Sequence, residues 1–239
     1  NIMLSILIPL KNEYENLEDI ERIFKESFYE TKHEVILIND FSDDNTLKKA
    51  EKIAANNKNF IVLNNQKRGL GGAINLGIDR ARGKFICIMM ADFSDDINDL
   101  KKYYNLMQAN NYDAVFGSRF TSESVVTGYP KQKLLLNRVF NFIVKIVFLN
   151  SYNDYTNAFK IYKSEMVKSF LPLVSESFNI FLELPLKVIS RKYDFKVIPI
   201  NWRTRKKGKA KFKIKELRSK YLFTLIYCLI EKILLNKKK

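Results

Sequence analysis

Four acidic or hydroxyl side chains follow an apolar segment near the middle of the chain. Residues 84–90 carry few polar groups, which predicts a buried strand, and Asp92, Ser94, Asp95 and Asp96 come soon after it. Carboxylates at the carboxyl end of a central parallel strand lie where open α/β sheets bind ligands. Such a carboxylate can hold a divalent cation, and the cation can neutralise a phosphate. Capping of the next helix explains Asp95 and Asp96, but it does not explain Asp92, which precedes the cap.

Acidic side chains also follow two other predicted strands. Glu13 comes after the apolar residues 5–9, and Asp40 comes after residues 34–38. In a doubly wound sheet the ends of these strands converge on one edge, together with Asp92. Three acids at that edge predict a site for a nucleotide and a metal ion. Asp40 could accept a hydrogen bond from an N–H group of the base.

Glycines and arginines near further strand ends are candidates for phosphate binding. Gly69, Gly71 and Gly72 open a predicted helix, but their spacing matches neither G-x-G-x-x-G nor the G-K-[ST] ending of known phosphate loops. We interpret these glycines as permitting a tight passage from strand to helix close to a ligand. Arg68 beside them could pair with a phosphate, and Arg119 at another strand end could clamp one with two hydrogen bonds.

Lysines and arginines are concentrated in residues 203–215, which contain no acidic residue. Around Gly208 this segment could form a flexible cationic lid over a pyrophosphate. A solvated tail or a nucleic-acid-binding tail fits the same composition. The net charge of +15, from 41 basic and 26 acidic residues, likewise attracts nucleic acid, an anionic membrane or a phosphorylated substrate.

Strands and helices alternate through the first half of the chain. We predict strands at residues 5–9, 34–38, 60–63, 85–90 and 114–116. Helices are predicted at residues 16–28, from about 46, and at 69–81 and 97–110. This alternation is typical of a parallel sheet with crossover helices.

The pattern changes after residue 120. We predict a polar loop at 121–133, helices at 134–149 and 178–189, a strand at 195–202 and a final helix. The final helix contains ten uncharged residues, 221–230, which is well short of the roughly 20 needed to span a bilayer. The apolar helices therefore either lie in a membrane interface or pack on the sheet or on another subunit.

Histidine and cysteine are scarce in the 239 residues. His33 is the only histidine, which excludes a histidine-rich metal site and disfavours a histidine general base. Cys87 and Cys228 fall in apolar elements, so we expect both to be packing residues in a reducing compartment. The length predicts one domain with at most a small appendage, and residues 3–10 lack the basic leader and cleavage site of a signal peptide.

Seven short motifs occur in the order typical of one enzyme family. They are Ser5-Ile-Leu-Ile-Pro9-x-x-Asn12-Glu13, Ile38-Asn-Asp40-x-Ser42-x-Asp44-x-Thr46, Gly69-x-Gly71-x-Ala73-x-x-x-Gly77, Ala91-Asp92-x-Ser94, Gly117-Ser-Arg119, residues 154–160 and Arg205-x-x-Gly208-x-Ala-Lys211. Together they resemble family 2 glycosyltransferases, and within that family the branch of dolichol- or polyprenyl-phosphate sugar synthases. The resemblance covers essentially the whole chain. It implies the GT-A fold, an α/β Rossmann-like doubly wound, mostly parallel sheet with C-terminal amphipathic helices.

The resemblance also implies roles for individual residues. Nucleotide-sugar binding would involve Pro9, Lys11, Glu13, Asp40, Arg68, Gly69, Ala91, Asp92 and Lys211. Asp92 and Ser94 would hold Mg²⁺ or Mn²⁺ on the diphosphate, and Arg205 and Lys211 would close over it. The acceptor phosphate would be bound by Arg119, Lys133 and Asn137. The groups expected to act in catalysis are Asp92, Arg119, Lys133 and Arg205.

The sequence departs from the family pattern at a few positions. Met90 stands where the first acid of a D-x-D motif is common, so one metal carboxylate is missing. Lys11 stands where an aromatic residue is common. Lys133 and Asn137 stand where an arginine and a serine are typical.

The implied reaction is an inverting, metal-assisted transfer of a sugar from a UDP- or GDP-linked donor to a polyprenyl phosphate, dolichyl or undecaprenyl. A phosphate acceptor is already anionic near neutral pH, so no base need deprotonate it. Residues 1–120 would form the nucleotide-sugar-binding half, 121–213 the acceptor-side half of the same domain, and 214–239 an amphipathic, membrane-associated helix. The protein would lie peripherally on the cytoplasmic face of a membrane, and its apolar helices could also join copies of the chain.

Two alternatives stay open on the sequence. A glycosyltransferase of the same fold could act on a hydroxyl of a polysaccharide, which requires a general base such as Asp154 or Glu183. The chain could instead be a non-catalytic basic protein that binds nucleic acid. Against this, Glu13, Asp40 and Asp92 would line the same cleft as the basic groups and repel a polyanion, so we predict no nucleic-acid partner.

Overall fold

A seven-stranded sheet forms the centre of the computed structural model, which describes residues 3–204 and 214–236. Its strands are β1 (Leu4–Leu10), β2 (His33–Asn39), β3 (Phe60–Asn64), β4 (Phe85–Ile88), β5 (Ala114–Ser118), β7 (Lys160–Lys163) and β8 (Phe195–Pro199). The strand order is β3-β2-β1-β4-β7-β5-β8. Strand β7 runs antiparallel to β4 and β5, whereas the other pairs are parallel. The predicted mostly parallel α/β sheet is therefore confirmed.

Helices cover both faces of this sheet. In the described ranges they are α1 (Leu17–Ser27), α2 (Thr46–Asn56), α3 (Leu70–Arg80), α4 (Ile97–Ala109), α5 (Lys131–Phe148), α6 (Ser164–Lys168), α7 (Ile180–Ser190) and α8 (Ile214–Asn236). Helix α5 begins three residues before the predicted start at 134, directly after Pro130, so Lys133 lies in its first turn. None of the helices in residues 3–204 and 214–236 has the length and apolarity needed to cross a membrane.

Apolar side chains fill both sides of the sheet, because a parallel strand flanked by helices is buried on both faces. On one face Leu7 and Ile36 share a core with Ile74 of α3. On the other face Ile6 packs in a core with Phe24 of α1. Every residue of β1 and β2 is buried, so the loops that follow these strands start from rigid positions.

Strand β7 is absent from the sequence-based prediction. It lies between β4 and β5 and pairs with both. Its first residue, Lys160, is fully buried, and its last is Lys163, so the segment lacks the apolar pattern of a central strand. Strand β4 also ends at Ile88 rather than at Met90.

The predicted strand at 195–202 is in fact two strands. After β8 the chain leaves the main sheet, and the backbone N–H of Asn201 donates to Oδ2 of Asp99 (2.8 Å). The next residues form β9 (Trp202–Arg203), which pairs in parallel with β6 (Val126–Thr127). This small two-stranded sheet carries Trp202 towards the end of β4, where its backbone bridges Asp95.

Candidate active site

Asp40 is held in place at the carboxyl end of β2. It is buried, and its Oδ1 accepts hydrogen bonds from the side-chain amide of Asn65 (2.8 Å) and the backbone N–H of Gly69 (2.9 Å). Gly69 has a φ of 115°, a conformation that favours glycine, and α3 starts at the next residue. The structure thus brings Asp40 and the glycine-rich loop together at one edge of the sheet.

Three other residues predicted to bind the nucleotide sugar, which we call donor-side residues, lie near the end of β1. Glu13 is buried, and its Oε2 accepts a hydrogen bond from the amide of Asn16 (2.7 Å). The Nζ of Lys11 donates to the backbone carbonyl of Asp40 (3.3 Å). Pro9 is buried within β1 itself. The ends of β1 and β2 therefore place two acids and a lysine on a common rim.

Arg68 lies exposed near this rim. Its guanidinium carbon is 5.0 Å from the ring centroid of Phe41, close enough for a cation–π contact. Phe41 was not among the site residues predicted from the sequence, although an aromatic residue directly after Asp40 was a visible signal. The pair adds an aromatic face and a positive charge to the donor side.

Asp95 belongs to the site and does not cap α4, contrary to the sequence-based interpretation. Asp96 alone is the cap, with its Oδ1 accepting the backbone N–H of Asn98 (2.9 Å). The backbone bridge to Trp202 fixes Asp95, whose exposed fraction is only 5%. Burial in the first place, and the charge of Asp92 in the second, raise the pKa of Asp95 from 3.8 to about 7. A buried carboxyl whose pKa is raised in this way, next to a second acid, is typical of functional sites.

Asp92 and Ser94 form a turn directly after β4. Oδ1 of Asp92 accepts the backbone N–H of Ser94 (3.1 Å), and the Ser94 carbonyl accepts the N–H of Arg203 (3.0 Å). Ala91 beside them is buried. This loop is therefore tied to β9 as well as to the sheet.

Asp92 and Asp95 fit a divalent cation that binds together with a diphosphate. Mg²⁺ usually binds proteins through one or two carboxylates plus substrate phosphates. Across residues 3–204 and 214–236 no group of three or more His, Cys, Asp or Glu side chains could enclose a metal ion. Asp92 and Asp95 match a site made of two carboxylates plus substrate phosphates. Met90 stands in place of a third carboxylate.

Arg119 follows β5 and is locked to Asp154. Its backbone N–H and its Nε each donate to Oδ2 of Asp154 (2.9 Å), and its Nη2 donates to Oδ1 (2.7 Å). The exposed fractions of the two side chains are 7% and 0%. Burial alone would lower the pKa of Arg119, but the Asp154 carboxylate outweighs it and raises that pKa. Arg119 is therefore a charged and oriented group.

Lys160 stabilises the loop that leads from Asp154 into β7. Its Nζ donates to the backbone carbonyls of Tyr155 (3.2 Å) and Asn157. Burial lowers the pKa of Lys160 to about 7, although the nearby Asp154 raises it. This loop supplies Thr156, Asn157 and Ala158 to the wall of a cavity.

The cavity has a volume of about 450 Å³ and lies beside the ends of β4 and β5. Its polar part is lined by Ser94, Asp95, Arg119, Lys133, Asn137 and Thr156. Its apolar part is lined by Met90, Leu136, Phe140, Phe178, Phe181 and Tyr221. The structure thus brings together one predicted metal ligand and all three predicted acceptor-phosphate residues. The donor-side residues from Pro9 to Gly69 do not line this cavity.

The predicted acceptor residues differ in how they reach the cavity. Lys133 is exposed, so its ammonium group can approach a ligand. Asn137 lies one turn later, and its amide donates to Tyr129 Oη and Thr156 Oγ1 (both 3.2 Å). The ring centroids of Tyr129 and Trp202 lie 4.8 Å apart with their planes tilted by 42°, and both rings line the cavity.

Three further lining residues were not predicted from the sequence as site residues: Tyr129, Thr156 and Trp202. The one available signal was that Trp202 is the only tryptophan. Two predicted residues, Arg205 and Lys211, lie outside the described residues.

Comparison with known proteins identifies the family. Residues 5–171 match the model of glycosyl transferase family 2. The chain is 24% identical to the glycosyltransferase AglD of Haloferax volcanii over 208 residues, which cover 84% of this chain and 33% of AglD. It is 24% identical to dolichol-phosphate mannosyltransferase of Pyrococcus furiosus, covering 90% of this chain and 60% of that protein. The chain therefore spans between a third and three fifths of the length of these two relatives.

A third relative and a solved structure agree with this assignment. Dolichyl-phosphate beta-glucosyltransferase of Dictyostelium discoideum is 26% identical, over 84% of this chain and 67% of that protein. The crystal structure of glucosyl-3-phosphoglycerate synthase from Mycobacterium tuberculosis, with Mn²⁺, UDP and glucosyl-3-phosphoglycerate, superposes with a TM-score of 0.72. It covers 96% of this chain and 80% of that chain at 13% identity, so this likeness shows the fold. The chain belongs to glycosyl transferase family 2 and has the GT-A fold.

Proposed function

We propose that this protein transfers a sugar from a nucleotide diphosphate sugar, UDP- or GDP-linked, to a polyprenyl phosphate, with inversion at the anomeric carbon. The observation that carries this proposal is the cavity beside β4 and β5. Its polar part ends in Arg119 and Lys133, and its apolar part is lined by Phe140, Phe178 and Tyr221. A phosphate with an isoprenoid chain has this same division between charge and apolar surface. Relatives with dolichol-phosphate in their names support the same acceptor class.

The acceptor phosphate would be bound by Arg119 and Lys133. Arg119 is held by Asp154 in one orientation, so little conformational freedom is lost when it meets an anion. The phosphate oxygen attacks the anomeric carbon and forms the new C–O bond. The bond to the donor diphosphate breaks, and the leaving diphosphate keeps the electron pair. No proton has to be removed from the nucleophile, because the phosphate is ionised near neutral pH.

The leaving diphosphate would lie near Asp92, Ser94 and Asp95. A Mg²⁺ or Mn²⁺ ion held by Asp92 and Asp95 would neutralise charge on that group. The Ser94 backbone N–H orients the Asp92 carboxylate. Arg205 and Lys211 are proposed to close over the diphosphate.

The nucleotide would bind along the ends of β1 and β2. Asp40 is oriented by Asn65 and Gly69 through its Oδ1, so its Oδ2 would accept an N–H group of the base. Glu13 and Pro9 would contact the base and ribose, as the family pattern implies. In this division residues 1–120 serve the donor and residues 121–213 the acceptor.

Helices α5 and α8 expose an apolar face next to the cavity. We define this apolar face as Leu135, Val139, Phe142 and Ile146 of α5 with Leu222, Phe223, Ile226 and Ile230 of α8, each between 49% and 65% exposed. The two helices touch through Phe140 and Tyr221, whose ring centroids lie 5.6 Å apart. Both residues line the cavity. An exposed patch of this kind marks an interaction surface.

A membrane surface is the partner we propose for the apolar face, since the lipid chain of the acceptor must leave the cavity into an apolar phase. The net charge of +15 adds attraction to anionic lipid. Cys87 and Cys228 are both free and buried, which suits the cytoplasmic side. Self-association through the same helices is the competing use of this face.

Transfer to a hydroxyl group has less support, because neither candidate base is available. Asp154 is fully buried and bound to Arg119. Glu183 is also fully buried, and its two oxygens accept the backbone N–H groups of Val174 and Ser175. A general base must lie within hydrogen-bond reach of the proton that it removes.

The test is transfer of labelled sugar into lipid. Purified protein, Mg²⁺ or Mn²⁺, undecaprenyl or dolichyl phosphate and a panel of labelled UDP- and GDP-sugars are combined, and label is counted in the organic phase. We expect metal-dependent label for at least one donor, loss of it in Asp92→Ala, and retention in the matched cap variant Asp96→Asn. Donor binding or hydrolysis without label in the lipid would contradict the proposed acceptor.

A further inference from the structure

We propose that Glu183, which lies in α7, is a positioning residue for the donor nucleotide. The inference rests on the proposed function and adds a residue to it. Glu183 is remote in sequence from the donor-side residues between Pro9 and Gly69. It reaches them through residues 173–176, which we call the bracing segment.

The bracing segment lies directly against the glycine-rich start of α3. The backbone N–H of Gly71 donates to the carbonyl of Glu176 (3.0 Å). A Cβ on Gly71 would lie 1.9 Å from the carbonyl oxygen of Ser175, and one on Gly69 would lie 2.7 Å from that of Glu176. No real Cβ contact is so short, so these glycines permit a backbone-to-backbone contact that a side chain would prevent.

A side chain of α3 adds a second connection. The amide group of Asn75 donates to the carbonyl of Leu173 (3.2 Å), and its Oδ1 accepts the backbone N–H of Leu173 (2.8 Å). The same amide group also donates to the carbonyl of Gly71 (2.9 Å). Both ends of the bracing segment are therefore bonded to α3.

Glu183 binds the middle of the bracing segment through its carboxylate. Its Oε1 accepts the N–H of Val174 (3.0 Å) and its Oε2 accepts the N–H of Ser175 (2.8 Å). The carboxylate is completely buried, and the Nζ of Lys187 lies 3.9 Å from it. Lys187 is itself bonded to Glu231 of α8 (2.8 Å). A charged acceptor of two adjacent backbone donors is a strong constraint on the backbone.

The connection ends at the residue proposed to bind the base. Gly69, which the bracing segment contacts, donates its N–H to Oδ1 of Asp40 (2.9 Å). Asn65 joins the two by donating to Asp40 Oδ1 and to the Gly69 carbonyl (3.1 Å). A shift of the bracing segment therefore moves Gly69 first and, through the hydrogen bond from Gly69, Asp40. Glu183 acts on the nucleotide only through these residues and touches no reacting atom.

Nucleotide binding tests this inference without any turnover. The dissociation constants of UDP and GDP, each with Mg²⁺, are measured by calorimetry for the wild-type protein and for Glu183→Gln. Glutamine offers one acceptor oxygen and places an NH₂ group against a backbone N–H, so one of the two hydrogen bonds is lost. We expect the affinity for the nucleotide that binds to fall by about tenfold or more.

Glu34→Gln is the matched control. Glu34 is also a buried carboxylate, 1% exposed, and it accepts hydrogen bonds from Ser5 Oγ (2.6 Å) and the backbone N–H of Arg82 (2.7 Å). It lies at the amino end of β2, opposite the donor edge. We expect Glu34→Gln to lower the melting temperature and to leave nucleotide affinity within about twofold of the wild type.

Each outcome either supports or overturns the positioning role of Glu183. Equal nucleotide affinity in Glu183→Gln and the wild type overturns the positioning role, and so does an equal loss in Glu34→Gln, which would show a general effect of stability. Wild-type protein that binds neither UDP nor GDP refutes the proposed function and the inference with it. If Glu183→Gln does not fold, Asn75→Ala makes the same test from the α3 side, with the same tenfold weakening expected.

Discussion

Replacement of Asp95 with asparagine should stabilise the protein at neutral pH. Asp95 is only 5% exposed, and burial together with the charge of Asp92 raises its pKa from 3.8 to about 7. One pKa unit corresponds to about 1.4 kcal/mol of differential interaction, so a rise of roughly three units corresponds to about 4 kcal/mol. Above about pH 7 the protein therefore holds an ionised carboxylate in this position at a cost in stability.

The sign of the pH dependence follows from proton binding. Between pH 3.8 and about 7 the folded protein binds the Asp95 proton more strongly than the unfolded chain does. The free energy of unfolding therefore falls as pH rises through that window and is constant with respect to this group above it. Asparagine binds no proton in either state. The variant and the wild type should differ little at pH 4 and by up to about 4 kcal/mol at pH 8, with the variant more stable.

Urea denaturation followed by circular dichroism at pH 4 and pH 8, in buffer with EDTA, measures this difference. Asp96→Asn is the control, because asparagine caps a helix as well as aspartate does and Asp96 is the N-cap of α4. The control should stay within about 0.5 kcal/mol of the wild type at both pH values. A stabilisation by Asp95→Asn that is the same at both pH values, or a destabilisation at pH 8, would refute the electrostatic reasoning.

Three further perturbations test other parts of the molecule. Asp154→Asn should lower the free energy of unfolding by about 3–5 kcal/mol, measured by urea denaturation, because it leaves the buried guanidinium of Arg119 without its carboxylate. Trp202 is the only tryptophan and lines the cavity, so a short-chain polyprenyl phosphate should change its fluorescence in a titration. Replacement of both Phe142 and Phe223 by serine should weaken sedimentation with anionic vesicles by at least about tenfold, because each buried phenylalanine contributes roughly 1.5–3 kcal/mol.

Controls make these three predictions decisive. A loss below about 1 kcal/mol in Asp154→Asn would show that the ion pair is not buried as described. An unchanged emission of Trp202 at saturating ligand would exclude the cavity as the acceptor site, with Trp202→Phe as the signal-free control. Unchanged vesicle binding of the double variant, with Tyr29→Ser as an exposed control outside the apolar face, would favour self-association instead.

The strands of the donor half were predictable because their signal is local. Each of β1 to β5 is a short apolar run followed by polar residues, and the helices between them have apolar residues at helical spacing. Parallel strands in a doubly wound sheet end at one edge, so the positions of Glu13, Asp40 and Asp92 at strand ends followed from order along the chain. These positions are predictable without knowing which side chains pair.

The acceptor half was less predictable because buried charged residues interrupt the apolar pattern by which strands are recognised. Strand β7 begins with Lys160, which is fully buried and bonded to backbone carbonyls. A lysine in that position resembles a surface residue in any local window. At the break between β8 and β9, Asn201 donates a hydrogen bond to Asp99, a residue about a hundred positions earlier in the chain.

The α/β class, the family and the residue types at the strand ends follow from local sequence patterns alone. The pairing of those residues is visible only in the folded chain. The fold binds Arg119 to Asp154, turns Asp95 into the cavity and places the bracing segment of residues 173–176 against Gly71. Apolar periodicity is a property of neighbouring residues, whereas the pairing of buried polar groups depends on which distant segments the fold brings together, and no local pattern records it.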